Sequence, residues 1–258
     1  MKKLNLISTI LLLVISISCN DYLDVVPDNV ATIDYAFRDR ESAEQFLVTC
    51  YSYLPNLGSL TDPATFGSDE ITIYNLHEQT NNSLALTIPG NQNANNPIRN
   101  FWDGRLGGTN LYVAIRDCNI FLENIHLIED ISESERKQWI GEVKFLKAYY
   151  HFYLMRMYGP IPIIKENIPI SAGVEDVRVF RDPVDEVVDY IVKLINEAVP
   201  DLPLKIEDRV TNLGRITQPI ALTVKADVLV TAASPLFNGN AQYSDFIDSR
   251  GLHLISSE

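Results

Sequence analysis

Apolar residues recur at helical spacing in five stretches of the chain, and no stretch shows the sustained alternation of a half-buried strand. After Asp39, the residues Ala43, Phe46, Leu47, Cys50, Tyr51 and Leu54 line one side of a helix, which Pro55 ends. A second helix is predicted over about Leu106 to Ile128, with Leu111, Ile115, Cys118, Leu122 and Ile125 on one face and Trp102 just ahead of it. The third begins with Ser132 and Glu135, spaced as a capping box in which each side chain bonds the other's backbone amide. Its stripe is Trp139, Val143, Leu146, Tyr150, Tyr153 and Met157. Gly159 suits its C-terminus and Pro160 blocks continuation, so Ile161 to Ile164 form a short extended segment. The fourth has Asp182 as N-cap and Pro183 at the first helical position, and turns Val184, Val187, Val188, Ile191, Ile195 and Ala198 inward until Pro200 and Pro203 end it. The fifth starts near Thr217, carries Ala221, Leu222, Ala226, Leu229, Ala232 and Ala233 inward, and stops before Pro235.

Between these stretches the pattern breaks down. Residues 20–37 read as extended or irregular, because Pro27 and Asp28-Asn29 oppose a helix. Residues 56–99 are rich in Gly, Pro and Asn, with only Ile71 to Tyr74 suggesting local order. A loop of that length in a compact domain is usually functional or disordered. The fold class is therefore all-α: antiparallel helix pairs of an irregular, tetratricopeptide-like kind, with a long inserted loop. Small Ala positions facing bulky aromatic ones let such helices approach closely.

Composition narrows the function. Hydrophobic residues make up 46% of the 258, enough to bury a core. The net charge of −13 repels phosphate backbones and argues against nucleic-acid binding. Residues 1–18 read as a signal peptide: Met1-Lys2-Lys3 is a basic start, Leu4 to Ile17 is apolar, and Ser18 directly precedes Cys19. That junction resembles the bacterial lipobox, with Ser16 and Ser18 where Leu and Ala or Gly are usual. It implies cleavage before Cys19 and acylation of its thiol and new amino group, with residues 19–258 as the mature domain. Each buried methylene contributes about 0.8 kcal/mol, so several chains on Cys19 anchor the protein durably. Cys50 and Cys118 fall on apolar helix faces. Two buried free thiols are favoured over a disulfide, whose distance no sequence sets.

No catalytic, cofactor or metal site emerges from the pattern. The four histidines, His77, His126, His151 and His253, have no metal spacing to one another or to Cys. His151, among aromatic neighbours, reads as a structural histidine. The carboxylate pairs Asp69-Glu70 and Asp185-Glu186 are adjacent in sequence, which suits capping or solvation better than glycoside hydrolysis across a cleft. A G-x-S-x-G motif, a P-loop and a dinucleotide fingerprint are all missing from the sequence. Sugar binding needs an aromatic platform beside planar polar groups. Tyr74, His77, Arg99, Asn100 and Trp102 supply these in and after the long loop, although Trp102 suits a core anchor as well.

Several segments in order resemble one family. Cys19-Asn20-Asp21-Tyr22-Leu23-Asp24-Val25-Val26-Pro27 is similar to the mature start of SusD/RagB lipoproteins. Trp102 leading to Tyr112, Ile115, Arg116, Asn119 and Leu122 looks like their second helix. Glu142 to Phe152 followed by Tyr158-Gly159-Pro160-Ile161-Pro162 resembles their most recognisable stretch. Gly214-Arg215-Ile216-Thr217, then Ala221, Lys225, Ala226 and Ala232 to Leu236, and finally Phe237 to Asn240, complete the likeness over about residues 19–250. The resemblance implies a surface-exposed outer-membrane lipoprotein and not an enzyme. Such proteins sit over a TonB-dependent, SusC-like transporter and capture glycans or peptides. Family members run to about twice this length, still within ordinary domain sizes, so the resemblance also implies a missing C-terminal lobe. That lobe carries much of the ligand surface, and an N-terminal fragment without it has an exposed apolar edge. A helical scaffold that binds only proteins, and a truncated fragment without function, are the alternative expectations.

Overall fold

A computed structural model describes residues 33–56, 93, 97, 99–105 and 107–256. The signal peptide, Cys19, most of the 20–37 segment, Ile71 to Tyr74 and His77 lie outside the described residues. The chain divides into two units, 1–36 and 37–258. Within the first, Ile33–Ala36 form a one-turn helix, α1, where an extended or irregular path was expected. Four residues are too few for periodicity to reveal.

Among its described residues the second unit has five longer helices: α2 (Arg40–Ser52), α3 (Leu111–Asn124), α4 (Glu133–Tyr158), α5 (Val184–Ala198) and α6 (Gln218–Ala232). Among the described residues no strand forms, and there are only two isolated bridges, Ile161 with Asp182 and Ile247 with His253. Successive helices from α3 to α6 are neighbours, and α2 lies against α3 and α4. The pairs are antiparallel. The end of α3 meets the start of α4, where Arg136 donates to the Ile125 and Ile128 carbonyls at 2.7 and 2.6 Å. The Ile161–Asp182 bridge joins the end of α4 to the start of α5. At the opposite ends Gly141 faces Ala198, where an added Cβ would lie 3.1 Å from the Ala198 carbonyl oxygen, so glycine permits that close approach. The start of α6 is tied to the end of α5 by Gln218 donating to the Leu202 carbonyl and Lys225 to Asn196.

Helix starts follow local chemistry, with three departures from expectation. Asp39 caps α2 by accepting from the Ser42 amide at 2.8 Å, and burial of Ala43, Leu47 and Cys50 confirms its inner face. Ser132 accepts from the Glu135 amide at 3.2 Å. The Glu135 carboxylate goes to Arg40 at 2.6 Å and not back to Ser132, so only half of the predicted box exists. Asp182 is not the N-cap of α5: Pro183 is, and the Asp182 carboxylate accepts from the Ile163 amide at 2.7 Å. In both cases a partner distant in sequence takes a carboxylate that local spacing had assigned to the helix end. The second helix also starts later than Leu106. Gly104 and Gly107 adopt positive φ of 78° and 81°, and Asn110 caps α3 by accepting from the Val113 amide.

The core centres on α4. From Gly141 to Met155 almost every residue is buried, including Glu142, Lys147 and His151, so the single predicted stripe understates it. Met157 lies beyond that zone and is 37% exposed. The predicted inner face of α5 is buried throughout. In α6 the expectation fails: Ala221 and Val228 are buried, whereas Leu222 and Leu229 are 49% and 47% exposed. This helix is apolar on opposite sides, so periodicity alone could not choose between them.

Candidate functional site

Asn100 and Trp102 sit in the turn that enters α3. The Asn100 side-chain oxygen accepts from the Trp102 and Asp103 amides at 2.8 and 3.2 Å, and its carbonyl accepts from Gly104 at 3.1 Å. A Cβ at Gly108 would lie 2.0 Å from that carbonyl oxygen, so only glycine fits there. Asn100 is therefore engaged in building the turn. Phe101 is buried edge-on against Tyr153, and its amide donates to the Tyr158 hydroxyl at 2.9 Å.

The turn presents Trp102 half-buried. Its ring meets Tyr112 and Tyr158 edge-on at 4.9 and 5.6 Å, and the Arg181 guanidinium lies 5.7 Å from the ring centroid. Burial pushes the hydroxyls of Tyr112 and Tyr158 up in pKa, which keeps both neutral. The Tyr112 hydroxyl is buried with no hydrogen-bond partner among the described residues. Arg250 extends the rim: it donates to the Arg181 carbonyl, pairs with Asp248 at 2.6 Å and lies 4.7 Å from the Phe180 ring centroid. Trp102 is thus an anchor held by two tyrosines and an arginine, and only its exposed part remains for a ligand. Arg99 is half-buried beside Asn100. Tyr74 and His77 lie outside the described residues, so the structure brings together Asn100 and Trp102 with Arg99 adjacent in the chain.

Sequence reasoning missed a groove of about 260 Å³ between α2 and the segment before α6. Glu44, Leu47, Val48 and Tyr51 form one side, and Leu213 and Arg215 belong to the other. Beneath it Arg215 donates through Nε to both oxygens of the fully buried Glu142, at 3.0 and 3.2 Å. Tyr51 donates to Glu142 at 2.7 Å and accepts from the Ile216 amide at 3.1 Å, while Gln138 donates to Glu142 at 2.8 Å. Burial first, and then the Glu142 carboxylate, raise the Tyr51 pKa. Arg40 and Arg215 both approach the Trp139 ring, at 5.3 and 5.8 Å. The one sequence signal was a glutamate directly before Val143 of the predicted apolar stripe, since a charge buried there requires a partner. Its pairing with Arg215, far along the chain, is a tertiary fact.

His151 is structural. Nδ1 bonds the Lys147 carbonyl at 2.7 Å and Nε2 accepts from the Ile164 amide at 3.3 Å. Burial lowers its pKa to about 4, so it is neutral near pH 7. Lys147 is also buried, donates to the Lys165 carbonyl at 2.6 Å, and is pushed down to about 8 by desolvation. Together the two residues hold the 163–165 segment against α4.

The arrangement of helices and the segment order decide the family. Residues 21–228 match the SusD-like family described as starch-binding and associating with the outer membrane. This chain belongs to the SusD-like family. It is 25% identical over 241 residues to SusD-like protein P25 of Formosa agariphila, covering 88% of this chain and 43% of that protein. Its fold superposes on the solved protein BT4246 with a TM-score of 0.72 at 28% identity, over 85% of this chain and 36% of that one. A laminarin-binding SusD-like protein shares the fold at a TM-score of 0.60 and 21% identity, over 79% of this chain and 41% of its own. The chain therefore spans well under half the length of these relatives. The all-α, tetratricopeptide-like fold expected from periodicity is the fold observed.

Proposed function

We propose that this SusD-like chain is the N-terminal part of a lipid-anchored protein on the outer face of an outer membrane, capturing glycans for a TonB-dependent, SusC-like transporter. The observation that carries the proposal is the family match over most of the chain, since the described residues supply helix pairs and an aromatic turn. Relatives of the same fold include one named for laminarin and one solved with laminarihexaose. In this reading Cys19 carries the lipid. Tyr74, His77 and Arg99 serve with the exposed part of Trp102 at the ligand, and Asn100 shapes the turn that presents it.

One wall does not enclose an oligosaccharide, because ligand sites bury most of the ligand surface. The 258-residue chain alone therefore binds weakly. The test is affinity electrophoresis and isothermal titration against a panel of neutral and acidic polysaccharides, using this chain and a longer relative. The expected result is retardation of the relative by at least one glycan and little or none for this chain. A relative that ignores every glycan counts against the capture role. Cys19→Ala should also move the protein from the membrane to the soluble fraction, and unchanged partitioning overturns the anchor.

A second reading, a scaffold that binds only protein, is favoured by the outer side of α6, where Leu222, Leu229 and Val230 are exposed. Pull-down of a transporter subunit with no glycan retardation in the longer relative would select it.

A further inference from the structure

The chain has two cysteines besides Cys19, and the fold brings them together. Cys50 continues the buried stripe of α2 after Ala43 and Leu47, and Cys118 continues that of α3 after Leu111 and Ile115. Neither has any exposed surface, both are free, and the two side chains lie close enough to act on each other electrostatically. Their surroundings fix the register. Tyr150, in α4, donates to the Cys50 carbonyl. Tyr53, three residues beyond Cys50, donates at 2.7 Å to Asp117, the neighbour of Cys118. A buried thiol on each of two adjacent helices, with the Cys50 carbonyl held by Tyr150 and the helices tied by Tyr53 and Asp117, is an arrangement suited to a cross-link.

We propose that Cys50 and Cys118 are a disulfide-forming pair, which an oxidising environment converts into a covalent staple between α2 and α3. The oxidant is a disulfide of the thiol–disulfide exchange class, either a protein oxidoreductase or oxidised glutathione. One cysteine thiolate attacks it to give a mixed disulfide and releases one of its sulfurs as a thiol. The second cysteine then displaces the other sulfur. One S–S bond forms on this chain, one breaks in the oxidant, and two protons and two electrons end on the oxidant's two thiols.

Burial sets the timing. It raises the Cys118 thiol well above its ordinary pKa, so the nucleophilic thiolate is scarce once α2 is seated. The bond therefore forms while the chain folds, and the finished fold keeps whichever redox state it acquired. The staple closes a loop of about 70 residues, which by chain entropy corresponds to a rise of roughly 10 °C in thermal midpoint.

The test refolds the reduced, unfolded mature chain in two ways, with a glutathione redox pair and with dithiothreitol. Each product is then unfolded without reductant, alkylated with iodoacetamide, weighed and mapped. After oxidising refolding, the expected chain is unlabelled at Cys50 and Cys118, with one peptide joining them and a midpoint roughly 10 °C above the reduced form. Label on both residues overturns the proposal, as does a bond to Cys19 in place of the pair, or a joined form that melts no higher. The Cys50→Ala, Cys118→Ala double variant should melt alike after both treatments, and a persisting difference also counts against it. If that variant does not fold, the mass of the natural chain still decides.

Discussion

Helices α4 and α6 both lack a clean division into apolar and polar faces, and they meet opposite fates. In α4 the charged Glu142 and Lys147 lie among apolar residues along the buried stretch, and in α6 apolar residues fall on opposite sides. In α4 that composition is matched by packing: α2, α3 and α5 surround it, and residues such as Trp139, Leu146 and Tyr150 are buried. In α6 the inner side rests on α5, while Leu222, Leu229 and Val230 on the other side are between 47% and 72% exposed. A helix without one clear polar face thus states that it needs neighbours on more than one side. It does not say whether the chain in hand supplies them.

The comparison breaks most visibly at Glu142. Replacing it with Ala leaves Arg215 without its buried carboxylate and Tyr51 without its acceptor, and should cost about 3–5 kcal/mol. Urea denaturation of Glu142→Ala checks this, and a loss under about 1 kcal/mol would mean that water reaches the pair. Leu146→Ala, at the fully buried centre of α4, should cost about 2–5 kcal/mol by the same measurement.

A pH series sharpens the picture of α4. His151 has its folded pKa depressed to about 4 from an ordinary 6.5, so the unfolded chain binds the proton more readily. Its stabilising effect is complete above about pH 6.5 and is lost as pH falls through about 4. Stability should drop by about 2 kcal/mol from pH 7 to pH 5. His151→Gln should flatten that slope, and an unchanged slope would assign it to other groups.

The smallest effect belongs to α6. Leu229→Ala should change stability by less than about 0.5 kcal/mol. If it costs as much as Leu146→Ala, the outer side of α6 is covered in solution and the contrast fails. Leu222→Glu with Leu229→Glu should lower the light scattering of the concentrated chain without lowering its melting midpoint, since an exposed apolar face promotes self-association.

Much of this protein is written locally. The Asp39 and Ser132 caps, the Gly159 stop and the inward face of α5 each follow from residues within a turn or two of one another, because capping and helical periodicity are short-range. The all-α class and the family likeness rest on the same kind of signal. Partner choice over distance was decided by tertiary structure alone. Glu135 reaches Arg40, Asp182 binds the Ile163 amide, Glu142 finds Arg215, Cys50 meets Cys118, and Trp102 lodges between Tyr112 and Tyr158. The buried side of α6 belongs with these. A sequence states that a carboxylate or an apolar face needs a partner, since an unpaired buried charge or an uncovered apolar surface costs free energy. Which of several chemically adequate partners satisfies it depends on the geometry of the folded chain, and no local spacing encodes that.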